Sequence, residues 1–299
     1  MITSEYLNEV LKTQILSDDS LEQKDLQAHR ADVEKLLRKA FSETSPTIRY
    51  GGSKAKGTMI RESFDLDIIC YFPRDDTAAG ESLKVIFENV SKALGKEYYV
   101  TPKNSSLRLS NLDLKAANRD FYIDVVPGRY VDDTRSDCFI HQNNAEKERL
   151  KTNLDVHIAH VKNSGVIDAI RLLKLWKVRK GIPLKQFVWE LLIIEILKNK
   201  KSSSLEAQLK HVWATIRDTK DPVNVEDPAN PNGNDLSKVV SDAWPMLSAF
   251  SESTLRTIDS SGWEGVFGTV KRAESAAARV ASLTQAAGAA SVRSSPWAK

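Results

Sequence analysis

The sequence predicts an α+β fold: an N-terminal helix, a small mixed sheet, and then an all-helical C-terminal half. Three observations predict it. Apolar residues recur at three- and four-residue steps over Ser4 to Phe41, short alternating or wholly apolar runs follow over Thr47 to Gly128, and helical spacing returns beyond about Asp155. A length of 299 residues with 41% hydrophobic content is enough for two modest cores, so two domains are expected, 1–160 and 161–299.

Taken in order, Tyr6, Leu7, Val10, Leu11, Ile15, Leu21, Leu26, Val33, Leu36, Leu37 and Phe41 mark one helical face, interrupted near Ser17. The runs "TIRY", "FDLDIICYF", "YYVT", "SLRL" and "FYIDVV" are short enough for strands, with one helix around Leu83 to Leu94 between them. In the second half, "VIDAIRLLKLWKVRK", "QFVWELLIIEILKNK", "SLEAQLKHVWATIRD" and "SKVVSDAWPMLSAF" each carry helical spacing. The Pro- and Asn-rich stretch Asp221 to Asp235 breaks them as a loop, and the Ala- and Ser-rich stretch Ala273 to Lys299 is expected to be a frayed helix and tail.

Charge narrows the function classes. Lys and Arg number 43 against 40 Asp and Glu, a formal +3, which is too little for nucleic-acid binding by bulk electrostatics. Any anion site has to be local, and no stable nucleic-acid binding is expected. Cys70 and Cys138 are too few for a disulfide framework or a four-cysteine zinc site, which fits a reducing compartment. No apolar run reaches the roughly 20 residues of a membrane helix, and Met1 to Leu21 does not read as a signal peptide. A cytoplasmic protein without membrane contact is the expectation.

The chemistry concentrates in three places. In Phe64-Asp65-Leu66-Asp67-Ile68 carboxylates alternate with apolar residues, so a strand would bury Phe64, Leu66 and Ile68 and aim both aspartates to one side. A D-x-D pair alone is ordinary surface chemistry. Here the run continues as Ile69-Cys70-Tyr71-Phe72, a central strand by its composition, and two like charges at the start of such a strand are costly unless a cation neutralises them. Asp124 stands alone in the apolar run Phe121 to Val126. If its strand neighbours the first, three carboxylates converge and can hold two Mg²⁺ or Mn²⁺ ions for in-line phosphoryl transfer.

Upstream, Gly51-Gly52-Ser53-Lys54-Ala55-Lys56-Gly57-Thr58 directly follows "TIRY". Glycine lets backbone amides approach a phosphate, and a serine hydroxyl can hold β and γ phosphates beside them. Gly-Gly-Ser alone is a common turn. Its order is what carries information: strand, Gly-Gly-Ser turn, short helix, then Asp-x-Asp beginning 12 residues after Ser53. It is not a Walker A loop, which needs a second glycine followed by Lys and Ser or Thr.

The blocks "GGSKAKGTMIRESFDLDIICYF" and "FYIDVVP" resemble the nucleotidyltransferase superfamily of DNA-polymerase-β type. "IRLLKLWKVRKGIPLKQFVWELL" and "VEDPANPNGND" resemble segments of the 2′-5′-oligoadenylate synthases, including their Asp-Pro-x-x-Pro-x-x-Asn loop. Together the blocks span Tyr50 to Asp235, and the chain looks like the oligoadenylate synthase and cyclic GMP-AMP synthase group, on the side of its bacterial relatives that make cyclic di- and trinucleotides for phage defence.

That resemblance implies a polymerase-β-like catalytic sheet and a helical second domain. It implies metal binding by Asp65, Asp67 and Asp124, with Asp124 also helping to activate the attacking ribose hydroxyl. Gly52, Ser53 and Lys56 would bind triphosphate, and Lys174 and Gln186 the donor nucleotide. It implies NTP substrates, ATP among them, two Mg²⁺ or Mn²⁺ ions, and a product-sensing effector protein that is not contacted directly. The zinc insertion of the animal DNA sensor is absent, since two distant cysteines cannot build it. Activation by double-stranded RNA stays open, as do linear 2′-5′ oligonucleotide synthesis and a toxin that modifies tRNA or protein.

Other features have plainer readings. Lys174 lies among Leu172, Leu173, Leu175 and Trp176, where a solvent-facing helix position is the alternative to a phosphate contact, and Gln186 can sit simply at a helix start. Lys54, Lys56 and Arg61 are candidate phosphate contacts against the commoner solvated reading. His157 and His160 share a helical face without a third ligand nearby. "KNKKSSS" at Lys198 to Ser204 reads as an interhelical loop, and Trp244, Trp263 and Phe267 as packing anchors.

Overall fold

The computed structural model describes residues 2–16, 20–112, 120–143 and 147–270. Met1–Phe267 form one compact unit and Gly268–Lys299 a second. The Ala- and Ser-rich stretch Ala273 to Lys299 lies outside the described residues, as does the break near Ser17.

The N-terminal periodicity resolves into α1 (Thr3–Gln14) and α2 (Leu21–Ala40), the latter capped by Ser20, whose hydroxyl accepts from the Gln23 amide. A seven-stranded sheet follows, in the order β1-β2-β5-β4-β3, with β6 beside β5 and β7 beside β6. Its strands are β1 (Thr47–Tyr50), β2 (Leu66–Phe72), β3 (Tyr99–Pro102), β4 (Leu107–Ser110), β5 (Asp120–Tyr130), β6 (Cys138–His141) and β7 (Arg149–Thr152). Two short helices interrupt it, α3 (Gly52–Lys56) after β1 and α4 (Leu83–Leu94) after β2. The β2/β5 pair is parallel and the other pairs antiparallel.

Strand alternation sorts the sheet residues. Leu66, Ile68, Cys70 and Phe72 of β2, Leu107 and Leu109 of β4, and Ile123 and Val125 of β5 join one buried cluster with Val33 and Leu37 of α2 and Ile86, Phe87, Val90 and Leu94 of α4. Ile69 and Tyr71 pack on the opposite face with Tyr130, Cys138 and Ile140. By the two-residue period, Asp67, Arg108 and Asp124 also belong to that opposite face.

The helical half comprises α5 (Leu154–Lys162), α6 (Ile167–Arg179), α7 (Gln186–Leu197), α8 (Leu205–Asp218), α9 (Ser237–Ser261) and the short α10 (Glu264–Phe267). Its core is aromatic: Trp176 stacks on Trp189 at 5.9 Å and meets Trp213 at 5.7 Å, while Trp263 and Phe267 stack at 6.3 Å. Trp263 and Phe267 are thus packing anchors, as their sequence context suggests. The Asp-Pro loop before α9 is pinned rather than loose. Asp227, 1% exposed, accepts from the Asn234 amide at 2.7 Å and the Ala229 amide at 2.9 Å and pairs with His157 Nε2 at 2.7 Å, while Asn230 Nδ2 reaches the Lys151 carbonyl. His157 therefore serves this loop. No helix among the described residues is long and apolar enough to cross a membrane.

Candidate active site

Backbone pairing sets the geometry of the carboxylates. Asp67 lies directly across from Asp124 in the parallel β2/β5 register, and Asp124 directly across from Arg108 in the antiparallel β4/β5 register. Asp65 precedes β2 rather than lying in it, so the expected strand begins at Leu66, and its side chain is 43% exposed. Phe64 packs only partly against the core.

The Gly-Gly-Ser turn is built onto the same strand. The Gly51 amide donates to the Asp67 carbonyl at 2.8 Å, and the chain then turns into α3 through Gly52 at φ +51°. A Cβ at position 52 would fall 1.5 Å from Asp67 Oδ2, so only glycine lets the turn lie against this carboxylate. Gly57 closes α3 in the left-handed region, and the Thr58 amide returns to the Ser53 carbonyl at 2.9 Å. The Ser53 hydroxyl is buried with no hydrogen-bond partner among the described residues.

A buried charged network ties this turn to the helical half. Glu190 of α7, fully buried, accepts from the Lys56 ammonium and, at 2.5 Å, from the Thr58 hydroxyl. Arg171 of α6 donates to the Gly57 carbonyl at 3.1 Å. Lys174 is 2% exposed, which overturns the solvent-facing reading. Burial lowers its pKa, while Glu190, Asp65 and Asp67 oppose the shift. Gln186 is the first residue of α7, and its Nε2 is buried and unpartnered among the described residues.

Burial and neighbouring carboxylates both bear on Asp67. Asp67 has its pKa pushed up to about 7, by burial first and then by Asp65 and Asp124, with Lys56 and Lys174 pulling the other way. Asp124 is neutralised differently. The Arg108 guanidinium donates to both of its oxygens, at 2.7 and 2.6 Å, and lies 3.4 Å from Asp65, while the Lys103 ammonium stands 3.5 Å away. As placed, no three carboxylate, imidazole or thiol groups among the described residues stand close enough to share one metal ion, and Asp124 is turned onto Arg108 instead. The donor set nonetheless fits a hard divalent cation. It is all oxygen and all anionic, and a protein cation is already drawn into it.

Sequence reasoning picked out Ser53, Asp65, Asp67, Asp124, Lys56, Lys174 and Gln186, and missed Glu190 and Arg108. A carboxylate flanked by Trp189 and Leu191 in the apolar helix "QFVWELLIIEIL", which also carries Glu195, is the available signal for Glu190. For Arg108 it is a lone cation between the apolar residues of "SLRLS".

No family model matches the chain. It is 24% identical over 297 residues to the CBASS oligonucleotide cyclase CdnC of Escherichia coli (strain KTE188), covering 84% of this chain and 93% of that protein. Among solved structures it superimposes on E. coli MS115-1 CdnC in complex with HORMA-deltaN at a TM-score of 0.67, with 18% identity over 91% of this chain and 98% of that one. The Cid1 poly(U) polymerase follows at a TM-score of 0.62 with 14% identity over 87% of this chain and 95% of that one. The Vibrio cholerae DncV cyclic AMP-GMP synthase gives 0.57 with 14% identity over 89% and 85%. These likenesses establish the polymerase-β-like nucleotidyltransferase fold. With that fold and the CdnC relative, the chain resembles the oligoadenylate synthase and cyclic GMP-AMP synthase-like nucleotidyltransferases, and most of all their bacterial cyclic oligonucleotide synthases.

Proposed function

We propose that this chain is a metal-dependent nucleotidyltransferase that condenses NTPs, ATP among them, into a cyclic di- or trinucleotide second messenger of anti-phage signalling. One observation carries the reading: the paired carboxylates Asp67 and Asp124 lie on the sheet face beside a turn and helices holding two buried polar atoms without partners among the described residues, Ser53 Oγ and Gln186 Nε2, and the buried Lys174. Buried donors left unpaired are rare and costly, and a nucleoside triphosphate offers acceptors for both and negative charge for Lys174. The CdnC relative is by its name an oligonucleotide cyclase, and E. coli MS115-1 CdnC has also been solved with ATP.

In this proposal residues 1–160 supply the catalytic sheet and 161–299 the helical domain that closes on the nucleotides. Ser53, with the turn at Gly52, holds the donor phosphates; Lys174 places its charge against them, and Gln186 orients the donor nucleotide. Lys56, held by Glu190, adds positive charge behind the turn. Asp65, Asp67 and Asp124 would hold two Mg²⁺ or Mn²⁺ ions, which when bound offset phosphate charge and ease deprotonation of the attacking hydroxyl. Asp124 takes part in that deprotonation at the ribose. We further propose a cytoplasmic enzyme that works from free nucleotides and does not touch the effector reading its product.

The test is to incubate purified protein with labelled NTPs and Mg²⁺ or Mn²⁺, with and without double-stranded RNA or tRNA, and then treat with phosphatase. A phosphatase-resistant product formed without polymer is expected. Strict RNA dependence, a phosphatase-sensitive linear product, or label in the RNA itself would sink the cyclic reading and favour one of the alternatives.

A further inference from the structure

We propose that Arg108 is a tethered counter-ion of the catalytic carboxylates, which holds Asp124 until nucleotide and divalent metal arrive together and take over both halves of the ion pair. The inference rests on the metal role of Asp65, Asp67 and Asp124. Its geometry is independent of any bound group. Arg108 projects from β4 at the position directly opposite Asp124, and its fork engages both Asp124 oxygens, at 2.7 and 2.6 Å, with a weaker approach to Asp65 at 3.4 Å. The contact is largely removed from solvent, with side chains 20% and 10% exposed for Arg108 and Asp124. Lys103, 42% exposed, adds a second positive charge 3.5 Å from the same carboxylate.

A divalent cation cannot take Asp124 through both oxygens while the fork is there. Metal alone would also have to leave the guanidinium without its anion in a partly desolvated place, which is costly. A metal-bound triphosphate removes that cost, since it brings a cation for Asp124 and phosphate oxygens for Arg108 in one step, and the planar guanidinium suits phosphate as well as carboxylate. After the exchange each member of the former pair again faces an opposite charge. In consequence the metal-loaded site forms with substrate rather than before it.

The test measures Mn²⁺ binding by titration calorimetry and by electron paramagnetic resonance, without nucleotide, on full-length wild type, Arg108→Met, Arg108→Lys and Asp65→Asn/Asp67→Asn. Arg108→Met should bind Mn²⁺ at least about tenfold more tightly than wild type, because one bidentate charge-assisted contact no longer competes. Arg108→Lys, which keeps the charge but cannot form the fork, should fall between them and gives the reading if the Met variant fails to fold. Adding a non-hydrolysable NTP analogue should shrink the difference between wild type and Arg108→Met. Unchanged or weaker Mn²⁺ affinity in the folded Arg108 variants, with binding still lost in Asp65→Asn/Asp67→Asn, would overturn the counter-ion role alone. Wild-type Mn²⁺ affinity in Asp65→Asn/Asp67→Asn would overturn the metal reading and the counter-ion role with it.

Discussion

The Thr58 hydroxyl donates to Glu190 across 2.5 Å although 132 residues separate them in sequence, and the Lys56 ammonium takes the other carboxylate oxygen. The end of the Gly-Gly-Ser turn is thereby fixed to α7. Removing one partner of a buried charged pair leaves the other uncompensated, so Glu190→Ala should cost about 3–5 kcal/mol of stability. Urea unfolding checks this, and a loss below about 1 kcal/mol, the range of an exposed pair, would take the network out of the account of stability.

Asp65→Asn with Asp67→Asn should abolish NTP turnover while the fold survives, because neutral amides hold divalent ions poorly. Turnover within about tenfold of wild type (about 1.4 kcal/mol of barrier), at an unchanged melting temperature, contradicts the metal assignment.

Lys174→Ala and Gln186→Ala should weaken use of the donor NTP, and Gln186→Ala, which removes no charge, should do so without changing Mn²⁺ binding. A lost hydrogen bond to a charged group is worth about 1.5–3 kcal/mol, roughly ten- to a hundredfold in apparent KM. Wild-type kinetics in both variants would remove the helical half from the donor site.

The raised pKa of Asp67 gives a pH signature. Its folded value of about 7 lies above the ordinary 3.8, so between those values the folded chain binds a proton that the unfolded chain does not. On this group's account the metal-free protein loses stability as pH rises through about 7, and Asp67→Asn loses that slope. Metal needs the ionised form, so Mn²⁺ affinity should fall by about tenfold per pH unit below that point. Melting curves from pH 5 to 8 with and without Mn²⁺ measure both effects; a Mn²⁺ shift of equal size across the range argues against the assignment.

Much of the site was legible because it depends on local pattern. The alternation around Asp65 and Asp67, the lone Asp124 in an apolar run and the Gly-Gly-Ser turn each read from a few neighbours. Cross-chain partnership was not legible. Nothing near Glu190 points to Thr58, and "SLRLS" does not say that its arginine faces Asp124 until the β4/β5 register is known. The strands β6 and β7 escaped for a similar reason: the pairing of "CFIH" with β5 and of "RLKT" with β6 is what identifies them as strands. Lys174 looked able to face water because a helix wheel does not reveal that α6 is enclosed on nearly all sides.

The cross-strand placement of Asp67 and Asp124 bears on how the sheet assembles. In the native ladder Ile68 pairs with Val125 and the two carboxylates share the face away from the helix-covered core. If β2 and β5 met one residue out of step, one strand's whole side-chain set would reverse, and a carboxylate would be driven among Leu37, Ile86 and Val90. An unpaired charge there is so unfavourable that such a chain would come apart sooner than persist. The aspartates and the apolar alternation of the two strands thus favour the same alignment of β2 with β5.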